Sequence, residues 1–186
     1  MPMICVYASS SLLLAPEVYA ASERLGTEMA RQGWDLIFGG SNVGLMDVVA
    51  RAMQAGGRRV VSVIPEIFAE RNLTYVEADE VVVTPDLRQR KQIMQERADA
   101  FCVFPGGPGT LDEFYETLTL VQIRAMEKPI LLLNWEDHFA GTLSQIAAIE
   151  AGGYSRVPLG ELFRVAADEA EARRELALMR DALGGV

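Results

Sequence analysis

The chain has 186 residues, 50% of them hydrophobic and 23% charged, which suits one globular domain over residues 1–186 with a sizeable core. The formal net charge of −9 argues against a nucleic-acid partner, because phosphate backbones need a basic surface, although local arginines can still hold a small phosphorylated ligand. Cys5 and Cys102 lie in apolar runs and read as free thiols; with no basic leader and no apolar run of membrane-spanning length, the expectation is a cytoplasmic protein without a membrane partner.

In chain order, the pattern predicts a strand over 3–8, a helix over 17–32, a strand over 35–38 and a helix over 44–55. A strand over 59–64 leads into a mobile loop over 65–74, followed by a strand over 80–83 and a helix over 86–98. Then come a strand over 100–104, a helix over 110–126, a strand over 130–133, a helix over 138–151 and a last Ala- and Glu-rich helix over 168–183. Gly152 and Gly153 mark the end of the 138–151 helix, as a left-handed cap. The strands are rich in Val and Ile without strict alternation, as in strands covered on both faces. Strand–helix alternation of this kind gives an α/β fold with a mostly parallel sheet of about six or seven strands and helices on both sides.

Ligands of such sheets bind beyond the carboxyl ends of the strands. Three turns fall there: Ala-Ser-Ser-Ser at 8–11, Gly-Gly-Ser-Asn-Val-Gly at 39–44, and Pro-Gly-Gly-Pro-Gly-Thr-Leu-Asp-Glu at 105–113. The third is the most informative. Its glycines leave backbone N–H groups open to an anion at the start of a helix whose first turn is expected to carry Asp112 and Glu113. No Gly-Lys-Ser or Gly-Lys-Thr marks a P-loop, and the first turn lacks the Gly-x-Gly-x-x-Gly of a dinucleotide fold, so NAD is not expected.

Asp86 is a natural N-cap for the 86–98 helix. Arg88, Arg90 and Lys91 then oppose the helix dipole, a local rule broken beside a glycine pocket, which reads as a cluster facing an anion. Glu113 and Glu116 share a helix face, with Asp112 pointing elsewhere. An Arg–Glu pair at a phosphate site binds, or else catalyses, the carboxylate steadying an oxocarbenium ion or directing a water at a glycosidic carbon. His138, the single histidine, reads as a capping or surface residue, and Lys128 as a solvent-facing turn residue. A pyridoxal phosphate enzyme would have to use Lys91, with no surrounding pattern to support it. Met46, Met94 and Met126 fit core or rim positions on helices.

These residues resemble the lonely-guy (LOG) family of cytokinin-activating phosphoribohydrolases, sometimes labelled possible lysine decarboxylases. The family's Pro-Gly-Gly-x-Gly-Thr-x-x-Glu signature matches 105–113, its Arg-Lys element matches Arg90 and Lys91, and its Gly-Gly-x-x-x-Gly-Leu-Met turn matches 39–46. Ser9 and Ser10 match its Ser-Ser turn, and Thr119 and Gln122 fit the helix after the signature. The resemblance implies a Rossmann-like three-layer fold and a homodimer whose subunits build the sites together. It also implies hydrolysis of the N-glycosidic bond of a nucleoside 5′-monophosphate, either a cytokinin riboside monophosphate or AMP, with no cofactor and no metal. Arg90 and Glu113 would be the catalytic pair. The substrate- and phosphate-binding set would be Ser9, Ser10, Gly39, Gly40, Gly44, Met46, Lys91, Pro105, Gly106, Gly107, Gly109, Thr110, Leu111, Asp112, Glu116 and Thr119. Ala8, Asp47 and Asn72 depart from the family pattern. The alternative is a non-catalytic nucleotide or molybdenum-cofactor binder of the same fold, and phosphoribosyl transfer is a weaker third reading.

Overall fold

The computed structural model describes residues 1–184; residues 185 and 186 of the expected domain lie outside the described residues. Seven strands form one sheet in the order β4-β3-β2-β1-β5-β6-β7, and every neighbouring pair is parallel. They are β1 (Met3–Tyr7), β2 (Asp35–Phe38), β3 (Val60–Pro65), β4 (Glu80–Thr84), β5 (Ala100–Val103), β6 (Ile130–Leu133) and β7 (Arg164–Ala166). The helices between and after them are α1 (Pro16–Arg31), α2 (Gly44–Ala55), α3 (Glu66–Ala69), α4 (Leu87–Arg97), α5 (Pro108–Gln122), α6 (Ala140–Ala151) and α7 (Glu169–Gly184).

A parallel sheet needs cover on both faces, and the apolar residues are divided accordingly. Along β1, Ile4 and Val6 join Leu25 and Met29 of α1, Val49 of α2 and Leu176 of α7 in one core layer. Met3, Cys5 and Tyr7 face the other way and pack with Met94 of α4, Phe114 and Leu118 of α5 and Ile146 of α6. The three-layer α/β expectation is therefore met. Cys5 and Cys102 are both buried and free. No described helix is long and apolar enough to cross a membrane.

Four local expectations need correction. β7 was not expected: its three residues are too short for a periodic signal, and it forms by pairing with β6 at the sheet edge. The segment expected as a plain loop over 65–74 opens with the one-turn helix α3. α5 starts two residues early, because Pro108 at its first position has φ already set for a helix and no N–H to leave unpaired. Asp112 and Glu113 thus sit in its second turn. The same helix stops at Gln122, where Arg124 turns left-handed (φ 58°) and the Ala125 N–H closes on the Leu120 carbonyl at 2.9 Å. Gly153 (φ 74°) ends α6 in the left-handed conformation, as read from the sequence.

Sheet order reverses direction at β1, which lies between β2 and β5. A crevice opens there beyond the carboxyl ends of the strands, the general ligand position of open α/β sheets.

Candidate active site

A cavity of about 540 Å³ fills one side of that crevice. Its polar wall is built by three turns and two helices. The turn after β1 supplies Ser9 and Ser10, and the turn after β2 supplies Gly39. α4 supplies Arg90, and the start of α5 supplies Gly107, Gly109, Thr110 and Glu113. Met46 also reaches the wall.

The first two turns are locked together by backbone. The Leu45 N–H donates to the Ser9 carbonyl at 2.8 Å, and Gly44 holds φ 70° with the Ser9–Ser10 backbone pressed against it. A Cβ at Gly44 would stand 2.5 Å from the Ser9 oxygen, so a side chain there is excluded by both conformation and space. The cradle glycines differ. A Cβ at Gly106 would collide with the Thr110 side chain, whereas at Gly107 and Gly109 it would meet no protein atom within 4 Å.

Arg90 and Glu113 meet inside this cavity. Asp86 sets the position of Arg90 by capping α4, accepting from the Arg88 and Gln89 N–H groups at 2.9 Å. The Arg90 Nη2 donates to Glu113 Oε1, and both side chains are about nine-tenths buried. Arg90 Nε is buried with no hydrogen-bond partner among the described residues. One turn further along α5, the Thr117 hydroxyl is 2.9 Å from the Tyr7 hydroxyl beneath the site. Burial pushes the Glu113 carboxyl up to about 7; the Arg90 charge pulls it down, and Asp112 adds to the rise. A carboxyl poised there exchanges its proton near neutrality, a property that catalytic acids and bases need.

Not every expected site residue arrives. Of the three cations on α4, only Arg90 enters the cavity. Arg88 is exposed, and Lys91, as buried as Arg90, reaches away from the cavity to two more exposed acids, its Nζ 2.8 Å from Asp112 and 2.5 Å from Glu116. Burial works against that ammonium, but its bonds to the two acids outweigh the penalty and its pKa is raised. Thr119 borders this outer cluster, and Leu111 packs on the core. Helical geometry separates the two: successive residues point about 100° apart, so Arg90 and Lys91, both buried, reach different acids of α5. Gly40 and Gly44 shape the β2 turn from behind. Pro105 and Gly106 wall a second cavity, and the Gly106 N–H points to His138 Nε2 at 3.1 Å. Lys128 is no simple turn residue: its Nζ donates to the Gln95 and Glu96 carbonyls at 2.8 and 3.2 Å, capping α4.

The model of the family described as possible lysine decarboxylase matches residues 46–176. A cytokinin riboside 5′-monophosphate phosphoribohydrolase of Arabidopsis thaliana is 38% identical over 169 residues, covering 90% of this chain and 77% of that one. The chain belongs to the LOG family. Another relative, the protein of the same name from Mycobacterium tuberculosis, is 38% identical over 151 residues, 81% of this chain and 80% of its own length. Among solved structures, the molybdenum cofactor carrier protein of Chlamydomonas reinhardtii matches with a TM-score of 0.73 at 23% identity, covering 96% of this chain and 97% of that chain. That likeness shows a shared fold.

The sequence reading missed the apolar lining of the LOG-type cavity. Val43, Ile64, Phe68, Leu73 and Leu87 border the same cavity as the Arg90–Glu113 pair. They come from the turn after β2, from β3, from α3, from the loop after it and from α4, and each has the look of an ordinary core residue.

Proposed function

We propose that this LOG-family chain hydrolyses the N-glycosidic bond of a nucleoside 5′-monophosphate, releasing a free base and ribose 5-phosphate. The observation that carries the reading is the buried Arg90–Glu113 pair beside the open glycines of the α5 start. The names of its relatives support the same reaction class.

In this mechanism the phosphate rests on the Gly107–Thr110 turn, where backbone N–H groups and the helix dipole favour an anion. The ribose then lies over Arg90 and Glu113, and the base points to the apolar wall of Val43, Phe68, Leu73 and Leu87. The C1′–N bond breaks with its electron pair leaving on the base, and the ionised Glu113 steadies the positive charge left on the sugar. Glu113 then accepts a proton from the water that adds at C1′, while the departing base takes one from solvent. Arg90 holds the carboxylate in place and offers its unpaired Nε–H to a ligand oxygen. The apolar wall suits both a bare purine and one carrying a hydrocarbon substituent.

The family label of lysine decarboxylation finds no lysine in the cavity: Lys91 reaches away from it and Lys128 caps α4. The carrier reading has a shared fold behind it and no residue that a binder alone would need. A homodimer with shared sites belongs to the proposal, supported by the apolar side chains of Ile123 and Tyr154 left 64% and 85% exposed at the ends of α5 and α6. Sedimentation at micromolar concentration should give twice the 20.4 kDa chain mass.

The test of the reaction is a panel of nucleoside monophosphates with chromatographic detection of released bases. Base release from AMP or an N6-substituted analogue is the expected result. Tight nucleotide binding with no product over hours would replace the enzyme reading with the carrier one.

A further inference from the structure

The glycine turn after β5 is a partition with two faces. Behind it, on the α1 side of the sheet, lies a second cavity of about 610 Å³ at the carboxyl ends of β1, β5, β6 and β7. It shares Ser9, Ser11 and Gly107 with the first cavity, yet its chemistry is opposite. The first holds Arg90. The second is lined by four carboxylate residues, Glu17, Glu136, Asp168 and Glu169, and by no lysine or arginine.

Two of those acids are already committed. Glu169 pairs with Arg24, and Asp168 accepts the Glu171 N–H at 2.8 Å as it caps α7. Glu17 and Glu136 have no hydrogen-bond or ion-pair partner among the described residues. The same cavity has an apolar lining of Leu14, Val18, Ala21 and Trp135. Trp135 is more than nine-tenths buried, and its indole N–H has no acceptor among the described residues.

The turn that presents Glu136 is strained. Glu136 and Asp137 are consecutive non-glycine residues at φ 50° and 56°. Backbone held in this region costs on the order of 1–3 kcal/mol per residue and gathers at ligand sites. His138, next in the chain, has its Nε2 3.1 Å from the Gly106 nitrogen and 2.9 Å from the Gly106 oxygen.

We propose that this second cavity is a binding site for a small organic ammonium ion with an apolar body, its charge held by Glu17 and Glu136 and its body against Val18, Ala21 and Trp135. A nucleotide does not fit this chemistry, because its phosphate would face unpaired carboxylates with no cation to receive it.

The experiment is a calorimetric titration of the full chain with phenethylammonium, with phenylacetate as a probe of the same shape and opposite charge. Saturable one-site binding of the cation is expected, with phenylacetate at least about tenfold weaker, and tryptophan fluorescence should change in step because Trp135 is in the wall. The double variant Glu17→Gln, Glu136→Gln should weaken the cation at least about fivefold, a loss of roughly 1 kcal/mol, while keeping the wild-type melting temperature. Ala21→Phe, which fills the cavity, should abolish binding; its fold is checked by its melting temperature and by retained inorganic phosphate binding in the first cavity. Glu113→Gln should leave the cation affinity unchanged, which separates the two cavities. Equal binding of phenylacetate, undiminished binding in the double variant or in Ala21→Phe, loss of binding in Glu113→Gln, or no saturable binding at all would each overturn the assignment.

Discussion

Arg90 and Lys91 are consecutive residues of α4, and each reaches acids on α5, but the two contacts are unlike. Arg90 and Glu113 are closed off inside a cavity, and burial lifts the carboxyl to about 7. Lys91 is as buried as Arg90, but its partners Asp112 and Glu116 have side chains 60% and 41% exposed, and the pairing favours charge on the lysine. Water makes the difference. Where it is kept from the carboxylate, an ion pair becomes a group of near-neutral acidity able to move a proton; where it reaches the carboxylates, the contact is screened.

The largest effect should come from the inner pair. Glu113→Gln is expected to lower base release by roughly 100- to 10,000-fold, the usual share of a general acid or base, while nucleotide binding persists in calorimetry. Undiminished turnover would remove Glu113 from the mechanism. The wild-type pH profile should agree with this. The ionised carboxylate is the working form and its pKa is raised to about 7, so turnover should rise about tenfold per pH unit below that point and level off above it.

Arg90→Ala strands Glu113 without its counter-charge. A cost of about 3–5 kcal/mol is expected in denaturant unfolding at pH 8. Because the bare carboxyl can escape by taking up a proton, the deficit should shrink when the same measurement is made at pH 5.5. A deficit independent of pH would show that lost packing, not stranded charge, is responsible.

The glycines give a contrast of smaller size. Gly44→Ala meets the Ser9–Ser10 backbone at a left-handed position and should cost at least about 1–3 kcal/mol of stability. Gly107→Ala and Gly109→Ala meet nothing and should leave the melting temperature in place while weakening phosphate binding. Smallest of all, Lys91→Met should cost no more than about 1 kcal/mol and change turnover by less than about tenfold.

The fold and the inner pair were largely legible in the sequence, for different reasons. Val- and Ile-rich runs without alternation give doubly covered strands whatever the ligand, and the Asp86 cap followed by three cations signals a helix start under electrostatic tension. The sequence could not say which cations turn inward. Arg88, Arg90 and Lys91 look equivalent until the rotation of α4 against the sheet is fixed by Met94, which is fully buried. β7 escaped notice because a three-residue edge strand exists only through its neighbour. The apolar wall escaped notice because Ile64 and Leu73 are indistinguishable in type from core residues, and only the surrounding void marks them out.

One consequence follows from how the Arg90 cavity is assembled. Its walls come from the ends of β1, β2 and β3, from α4 and from the head of α5, stretches far apart along the chain, so the unfolded polymer does not hold the assembled binding surface. Any cognate metabolite must therefore raise the melting temperature of the whole molecule, by a free energy of about 2.7 kcal/mol when present at a hundred times its dissociation constant. A calorimeter scanning a metabolite library can thus name the physiological compound before a single product has been chromatographed.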